Sequence, residues 1–149
     1  MDQKDRQILE TLQGNADLSM NDLAERCALS KTAVWRRVRE LENQGVIRKR
    51  VTLLDAESLG FKLTVFAIVR SSQHSDAWFS KFEKAVNRIP EILEFHRMSG
   101  DIDYLLRIVA TDMRHYDQIY KSLIRDVDFA DISSTFVMET IKTTTELPI

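Results

Sequence analysis

The side chains best suited to chemistry lie in one short segment, residues 29–41, which reads LSKTAVWRRVREL. Val34, Val38 and Leu41 recur at the spacing of one buried helix face, so the cations of the segment must point elsewhere. No acidic residue occurs from position 31 to position 39. A solvated helix usually interleaves acids with its bases, whereas an acid-free basic face suits phosphate oxygens. The segment therefore predicts a helix that binds a polyanion, with an ordinary basic surface helix as the alternative.

A second capped helix lies immediately upstream. Ser19 and Asp22 have the spacing of a capping box, and Ser30 is a good N-cap for the basic segment. Residues 28–30 form the short break typical of a helix-turn-helix. Two capped helices, a tight turn and a basic second helix favour reading of the DNA major groove. The predicted contacts to double-stranded DNA are Ser30, Lys31, Thr32, Trp35, Arg36, Arg37, Arg39, Arg48 and Lys49.

Composition limits the classes of protein that fit. The chain has 149 residues and a formal net charge of −2, which argues against general nucleic-acid binding, but its bases are concentrated between positions 31 and 50. No apolar run approaches the ~20 residues of a membrane span, and no signal peptide is evident. The single cysteine, Cys27, cannot form an internal disulfide and is interpreted as a small core residue. These features predict a cytoplasmic protein without a membrane partner.

The DNA-binding domain is predicted to span residues 1–52. Its first helix is expected over 3–13, with a left-handed stop at Gly14 and Asn15. The β-prone, basic stretch 46–52 is expected to form a wing strand beside the DNA.

A second domain, residues 61–149, is predicted after a hinge at 53–60. Its periodicities predict the order βαββαβ, a ferredoxin-like arrangement, so the fold class is α+β with an N-terminal winged helix-turn-helix. Helices cover one face of such a sheet, so Phe66 and Ile68 on the other face need a partner chain, and we expect at least a homodimer. The expected strands are 61–70, 92–98, 102–110 and 132–141, and the expected helices begin at Ser75–Asp76 and at Asp112, the second with Met113, Tyr116, Tyr120 and Leu123 inward.

Three segments together resemble the Lrp/AsnC (feast/famine) transcription regulators: LSKTAVWRRVRELENQGVI, SGDIDYLL and SSTFVMETIKTTTELPI. The resemblance covers nearly the whole chain. It implies a sequence-specific regulator that joins a DNA-binding domain to a ferredoxin-like effector domain, assembles from homodimers into tetramers or octamers, and responds allosterically to a small amino acid. From Ser71 onward the chain looks most like cysteine-responsive regulators, so cysteine is the first expected effector and leucine or another aliphatic amino acid the next. The basic helix that is predicted to read the DNA begins with Lys31-Thr32-Ala33, where the family commonly has Pro-Thr-Pro. The resemblance therefore implies no operator sequence.

The predicted effector site combines donors for a carboxylate with acceptors for an ammonium group. The turn at Gly100 offers backbone N–H groups, and Asp101 and Asp103 offer carboxylates. By resemblance, the ligand lies at this turn between neighbouring dimers. A plain hairpin turn is the alternative for Gly100 and Asp101, and an edge-strand solubility charge is the alternative for Asp103. The predicted effector residues are Met98, Ser99, Gly100, Asp101, Asp103, Ser133, Ser134 and Thr135.

Two other functional classes remain open at this point. Siroheme decarboxylases resemble the same architecture and need basic groups around a tetrapyrrole, for which His96, Arg97, Arg107 and His115 are available. A pure sensor or scaffold is the other class. The acid-free basic helix favours a regulator over both. Because no zinc spacing, glycine-rich phosphate loop or nucleophile–base pair is evident, we predict no metal, no cofactor and no enzymatic activity.

Overall fold

The computed structural model describes residues 1–72 and 75–149, which fall into two compact units. The first unit contains residues 1–53 together with the C-terminal residues 141–149, and the second contains residues 54–140. The sequence assigned the last nine residues to the second domain, whereas their contacts place them with the first unit.

The helices of the first unit begin at side-chain caps. Asp2, Ser19 and Ser30 each accept a hydrogen bond from the N–H group three residues later, which confirms the two predicted serine caps. The helices are α1 (Gln3–Gly14), α2 (Met20–Arg26) and α3 (Lys31–Asn43). They enclose one buried cluster formed by Ile8, Leu9, Leu12, Leu23, Ala24, Cys27, Val34, Val38 and Leu41.

The chain leaves α2 and α3 through the same type of turn, a Schellman motif. After α3 the left-handed position is filled by Gly45, at φ 72°. After α2 it is filled by Ala28, at φ 50°, and the N–H of Leu29 donates to the carbonyl of Ala24 at 2.9 Å. A non-glycine residue in this region costs roughly 1–2 kcal/mol. The turn of the helix-turn-helix is therefore strained at Ala28.

Two local predictions for the first unit are wrong. Gly14 ends α1 in a helical conformation, and Asn15 is extended at φ −152° rather than left-handed. The side chain of Asn15 accepts the N–H of Asp17 at 2.9 Å, so an Asx-type bond turns the chain instead. The wing strand over 46–52 is not formed, because the described residues of this unit contain no strand with which it can pair.

The second unit is an antiparallel sheet covered on one face by helices. Its strands have the spatial order β2-β3-β1-β4, which confirms the predicted ferredoxin-like arrangement. In chain order the elements are β1 (Leu63–Arg70), α4 (Asp76–Asn87), β2 (Ile92–Arg97), β3 (Tyr104–Ala110), α5 (Met113–Arg125) and β4 (Asp131–Phe136).

Alternation along β1 defines the two faces of the sheet. Val65, Ala67 and Val69 point towards the helices and are completely buried. Phe66 and Ile68 point to the opposite face, which we call the open face, and are only half-buried. The open face is therefore apolar along β1 without a covering layer from the described residues of its own chain.

An aromatic cluster fills the space between the helices and the sheet. The ring centroids of Trp78, Phe82 and Tyr104 lie between 5.3 and 5.9 Å apart. The indole Nε1–H of Trp78 donates to the carbonyl of Asp128 at 2.8 Å, which satisfies its polar group inside this core.

Two predictions for the second unit are wrong. The last strand ends at Phe136 rather than at residue 141, because β1 begins at Leu63 and offers no backbone partner beyond the bond from Val137 to Thr64. Met113 is 58% exposed rather than inward; the buried stripe of α5 consists of Tyr116, Ile119 and Leu123. None of the described helices is both long and apolar enough to span a membrane.

Candidate DNA-binding surface and effector site

The outward face of α3 carries several cations, of which Arg39 forms an ion pair with Glu42 at 3.5 Å. Arg36 is exposed, and its guanidinium forms no ion pair or hydrogen bond with any described residue. Lys31 and Thr32 are exposed in the first turn. Trp35 is 52% exposed, and the guanidinium of Arg39 lies 5.7 Å from its ring centroid as a cation–π pair. This surface presents both cations and a flat apolar ring to solvent.

Arg37 differs from its neighbour Arg36. Its Nη1 donates to carboxylate oxygens of Asp2 and Asp5, both at 2.7 Å. The pKa of Asp2 is lowered by the backbone N–H of Asp5 and by Arg37, while the hydrogen bonds to both carboxylates raise the pKa of Arg37. Arg37 therefore joins α3 to the beginning of α1, and its charge is compensated within the unit.

The remaining predicted DNA contacts lie at the two ends of α3. The hydroxyl oxygen of Ser30 accepts the N–H of Ala33 at 3.2 Å, which leaves its O–H able to donate to a phosphate. Arg48 and Lys49 are exposed in the irregular segment after the helix. The basic surface thus extends beyond the helix without a wing strand.

The Gly100 turn joins β2 to β3 and leaves backbone donors available. The N–H of Met98 donates to the carbonyl of Asp103 at 2.8 Å and closes the turn. Gly100 has φ 118°, and nothing lies within 4 Å of the position its Cβ would take, so backbone conformation rather than space requires glycine. Within the described chain, the N–H groups of Ser99 and Gly100 donate to no protein acceptor. Such unpaired amides can bind an anion.

Arg70 connects this turn to the last strand. It was not among the effector residues predicted from the sequence. Its Nε donates to the carbonyl of Asp101 at 3.1 Å, and its Nη1 donates to the carboxylate of Asp131 at 3.0 Å. The available signal was a cation at the end of an otherwise apolar strand. Arg70 brings the turn and the beginning of β4 together at one edge of the unit.

The two predicted carboxylates have different environments. Asp103 is half-buried, and its Oδ2 accepts the N–H of Ser71 at 2.7 Å. Asp103 therefore anchors the turn to the end of β1, with its other oxygen still able to accept a hydrogen bond. Asp101 is exposed, and its carboxylate has no partner among the described residues.

The three predicted hydroxyls of β4 are divided between the two faces of the sheet. Ser134 points towards the helices and hydrogen-bonds the hydroxyl of Tyr116, whose pKa is raised by burial and partly lowered again by this bond. Ser133 and Thr135 are exposed on the open face, opposite Ile68 and Phe66 of β1. Ser134 consequently does not share a surface with the other two.

The basic groups considered for tetrapyrrole binding do not converge. His96 and Arg107 both contact Glu94, at 3.2 and 2.7 Å, and Arg107 contributes most to lowering the pKa of Glu94. His115 instead contacts Glu91 at 3.3 Å, in a groove of about 290 Å³ that neither His96 nor Arg107 lines. Among the described residues, no group of three His, Cys, Asp or Glu side chains is arranged to hold a metal ion.

Comparison with known proteins identifies both units. Residues 1–48 match the family described as winged helix-turn-helix DNA-binding, and residues 64–147 match the Lrp/AsnC ligand binding domain. The chain belongs to the Lrp/AsnC family. As a member, it is a transcription regulator that combines a DNA-binding domain with a ligand-binding domain.

Similar Lrp/AsnC proteins align over almost their full lengths. The glutamate uptake regulatory protein of Zymomonas mobilis is 44% identical, over 100% of this chain and 91% of its own. An AsnC family transcriptional regulator from Agrobacterium tumefaciens is 49% identical with a TM-score of 0.94, over 99% of this chain and 97% of its own. The NMB0573/L-Met complex from Neisseria meningitidis is 35% identical with a TM-score of 0.93. The match covers 99% of this chain and 96% of the Neisseria chain. These similarities do not assign the chain to the cysteine-responsive subgroup.

Proposed function

We propose that this protein binds a specific DNA operator through α3 and that a small amino acid changes the affinity of this binding. The observation that carries the proposal is the outward face of α3, where Arg36 is uncompensated while the neighbouring Arg37 is held in ion pairs. Arginine forms bidentate hydrogen bonds with guanine and charge-assisted bonds with phosphate. Lys31 and Trp35 are exposed on the same helix and add a second cation and an aromatic ring to this surface.

The effector is proposed to bind at the Gly100 turn. The unpaired N–H groups of Ser99 and Gly100 suit its carboxylate, and the exposed carboxylate of Asp101 suits its ammonium group. Asp103 supplies a second acceptor through its remaining oxygen. The L-Met complex of the Neisseria protein, which is 35% identical, supports an amino acid as the ligand class. Cysteine is the first candidate, and leucine or another aliphatic amino acid is the next.

A second copy of the chain is proposed to complete the assembly. The open face of the sheet is apolar at Phe66 and Ile68, which supports a homodimer that buries it. The described residues form surface grooves of about 290, 320 and 270 Å³, and these are not lined by residues 98–103 or by β4. A ligand site between dimers, in a tetramer or octamer, provides the enclosure that the turn of one chain does not.

The response to the effector requires different affinities for two states of the assembly. A ligand shifts such an equilibrium only by its differential affinity. Typical coupling energies of about 1–3 kcal/mol correspond to changes of roughly 5–150-fold in operator affinity.

The proposal is tested by sequencing the chromosomal DNA recovered with the protein, with and without added cysteine. We expect a small set of enriched sites whose recovery changes with cysteine. Calorimetric titration with cysteine, leucine and methionine then identifies the ligand directly. Failure to retain any DNA at low salt would favour a pure sensor, and absence of binding heat from every amino acid tried would refute the effector site.

A further inference from the structure

The C-terminal residues of the chain dock on α1. Ile149 packs against the buried cluster of the first unit. The backbone of Leu147 forms two hydrogen bonds with one side chain: Nε2 of Gln13 donates to the carbonyl of Leu147 at 3.1 Å, and the N–H of Leu147 donates to Oε1 of Gln13 at 2.7 Å. The side-chain amide thereby binds both polar groups of one residue, as a neighbouring β-strand does.

The sequence of residues 147–149 favours an extended conformation that can dock on α1. Leu147 precedes Pro148, and a residue before proline is restricted to extended conformations. Pro148 has no N–H group, so docking leaves no donor unpaired at that position. The side chain of Leu147 is 70% exposed, so the contact depends on its backbone and on Ile149 rather than on burial of Leu147.

Residues 137–146 connect the docked end to β4 without regular secondary structure. Ten residues span at most about 33–36 Å when fully extended. The chain therefore passes between the two units twice, once near residue 53 and once near residue 141. An undocked tail leaves only the first connection, whereas a docked tail adds a second restraint on the DNA-binding unit.

We propose that residues 147–149 form a latch on α1 of the same chain and that this latch tethers the DNA-binding unit to β4. The latch itself depends only on the contacts of Gln13 and Ile149, whereas its effect on operator binding rests on the proposed function. Two DNA-binding units of a dimer must be held at the half-site spacing, and a second tether reduces the orientational freedom lost on binding.

Amide exchange at Leu147 in the full-length protein tests the latch. We expect Gln13→Ala to accelerate exchange at this amide by about tenfold, because both hydrogen bonds to the side chain are removed. Gln3→Ala is the matched control, since Gln3 is an exposed residue of the same helix whose side chain forms no hydrogen bond with any described residue. An unprotected Leu147 amide in the wild type, or unchanged exchange in Gln13→Ala, would overturn the proposal.

An equimolar mixture of two variants tests whether the latch lies within one chain. One variant is Gln13→Ala, which keeps the tail, and the other lacks residues 147–149 but keeps Gln13. A latch within one chain leaves Leu147 unprotected in the mixture. Restored protection would show that the tail docks on a second copy and would overturn the assignment to the same chain.

The tethering effect is tested with the protein that lacks residues 147–149. We expect several-fold weaker operator binding than in the wild type, with Gln13→Ala changing it in the same direction and Gln3→Ala leaving it unchanged. Unchanged affinity in the truncated protein would overturn the tethering role. A wild-type protein that binds no DNA would instead refute the proposed function, and the exchange experiment would still decide the latch.

Discussion

The two candidate sites differ in whether the residues of a single chain are sufficient to form them. On α3, Arg36 and Trp35 face solvent from a helix whose opposite stripe is buried. At the Gly100 turn, Asp103 is bonded to the backbone of Ser71, and the grooves of about 290, 320 and 270 Å³ are not lined by residues 98–103. On β4, Ser134 is bonded to Tyr116. A rigid helix face is sufficient for a DNA groove, whereas a small ligand must be surrounded.

The same contrast exists between neighbouring side chains of α3. Arg36 and Arg37 are identical in type and adjacent in sequence, but only Arg37 has carboxylate partners. A cation is therefore a strong candidate for DNA contact where the fold leaves it uncompensated, and residue type alone does not decide this. The following predictions test the contrast, beginning with the largest expected effect.

If a second copy completes the effector unit, then Ile68→Asp will disrupt the assembly. Burying even a neutral polar group without a partner costs roughly 2–7 kcal/mol, and a carboxylate costs more. We expect a monomeric or unfolded chain by light scattering and circular dichroism. Ile124→Asp is the control, because Ile124 is 38% exposed on α5 rather than on the open face. A folded Ile68→Asp dimer of wild-type stability would show that this face is not the interface.

Arg36→Ala is expected to weaken operator binding by about tenfold or more without lowering the melting temperature. A bidentate arginine–guanine contact contributes roughly 1–3 kcal/mol, and ~1.4 kcal/mol corresponds to one decade. Arg37→Ala is the contrasting variant, and we expect it to lower the melting temperature because the bonds to Asp2 and Asp5 are lost. Gel shifts at fixed salt measure the affinities. Wild-type affinity in Arg36→Ala would remove this residue from the interface.

Asp103→Ala and Asp101→Ala separate ligand binding from support of the turn. Both are expected to lose the amino-acid response while retaining DNA binding. Only Asp103→Ala is expected to lose stability, by about 1–3 kcal/mol, since it removes the Oδ2 acceptor to which the N–H of Ser71 donates. Urea unfolding and calorimetric titration measure the two effects. An undiminished ligand response in both variants would mean that the effector binds elsewhere.

Ala28→Gly is expected to stabilise the DNA-binding unit by about 1 kcal/mol. Glycine adopts the φ of 50° without the steric cost that alanine incurs, although it also increases the entropy of the unfolded chain. Gly45→Ala is the opposite exchange at the equivalent turn after α3 and is expected to destabilise. Thermal unfolding monitored by circular dichroism compares them. A lower melting temperature in Ala28→Gly would show that the strain at this turn is negligible.

The smallest expected effect is a pH dependence at the Arg37 ion pairs. The pKa of Asp2 in the folded chain lies below its usual 3.8, chiefly because its carboxylate accepts the N–H of Asp5 and then because of Arg37. Its contribution to stability is therefore present above pH 3.8 and is lost as the pH falls through the folded-state pKa. Urea midpoints of Asp2→Asn and wild type should differ at pH 5 and converge in acid. A difference independent of pH would contradict the assignment, and Asp17→Asn serves as the control.

The helix caps and the order of helices and strands were predictable from the sequence, whereas the long-range partners of individual side chains were not. The caps Ser30 and Asp112 depend on groups three residues away, so a short window contains the whole interaction. The partners of Arg37 and Ser134 are separated from them by 35, 32 and 18 residues, and no periodicity indicates such pairs. The wing strand predicted over 46–52 is absent from the described chain for the same reason, because β-propensity does not supply a partner strand.

The placement of Trp35 and Trp78 gives each unit its own optical reporter. They are the two tryptophans of the chain; Trp35 is 52% exposed on α3, and Trp78 is 5% exposed in the aromatic cluster. Their fluorescence should separate into a red-shifted component that acrylamide quenches and a blue-shifted component that it does not reach. Operator DNA should alter the first component, whereas unfolding of the second unit should alter the other. The fluorescence of unlabelled protein can therefore report DNA binding by the first unit and the folded state of the second unit in a single sample.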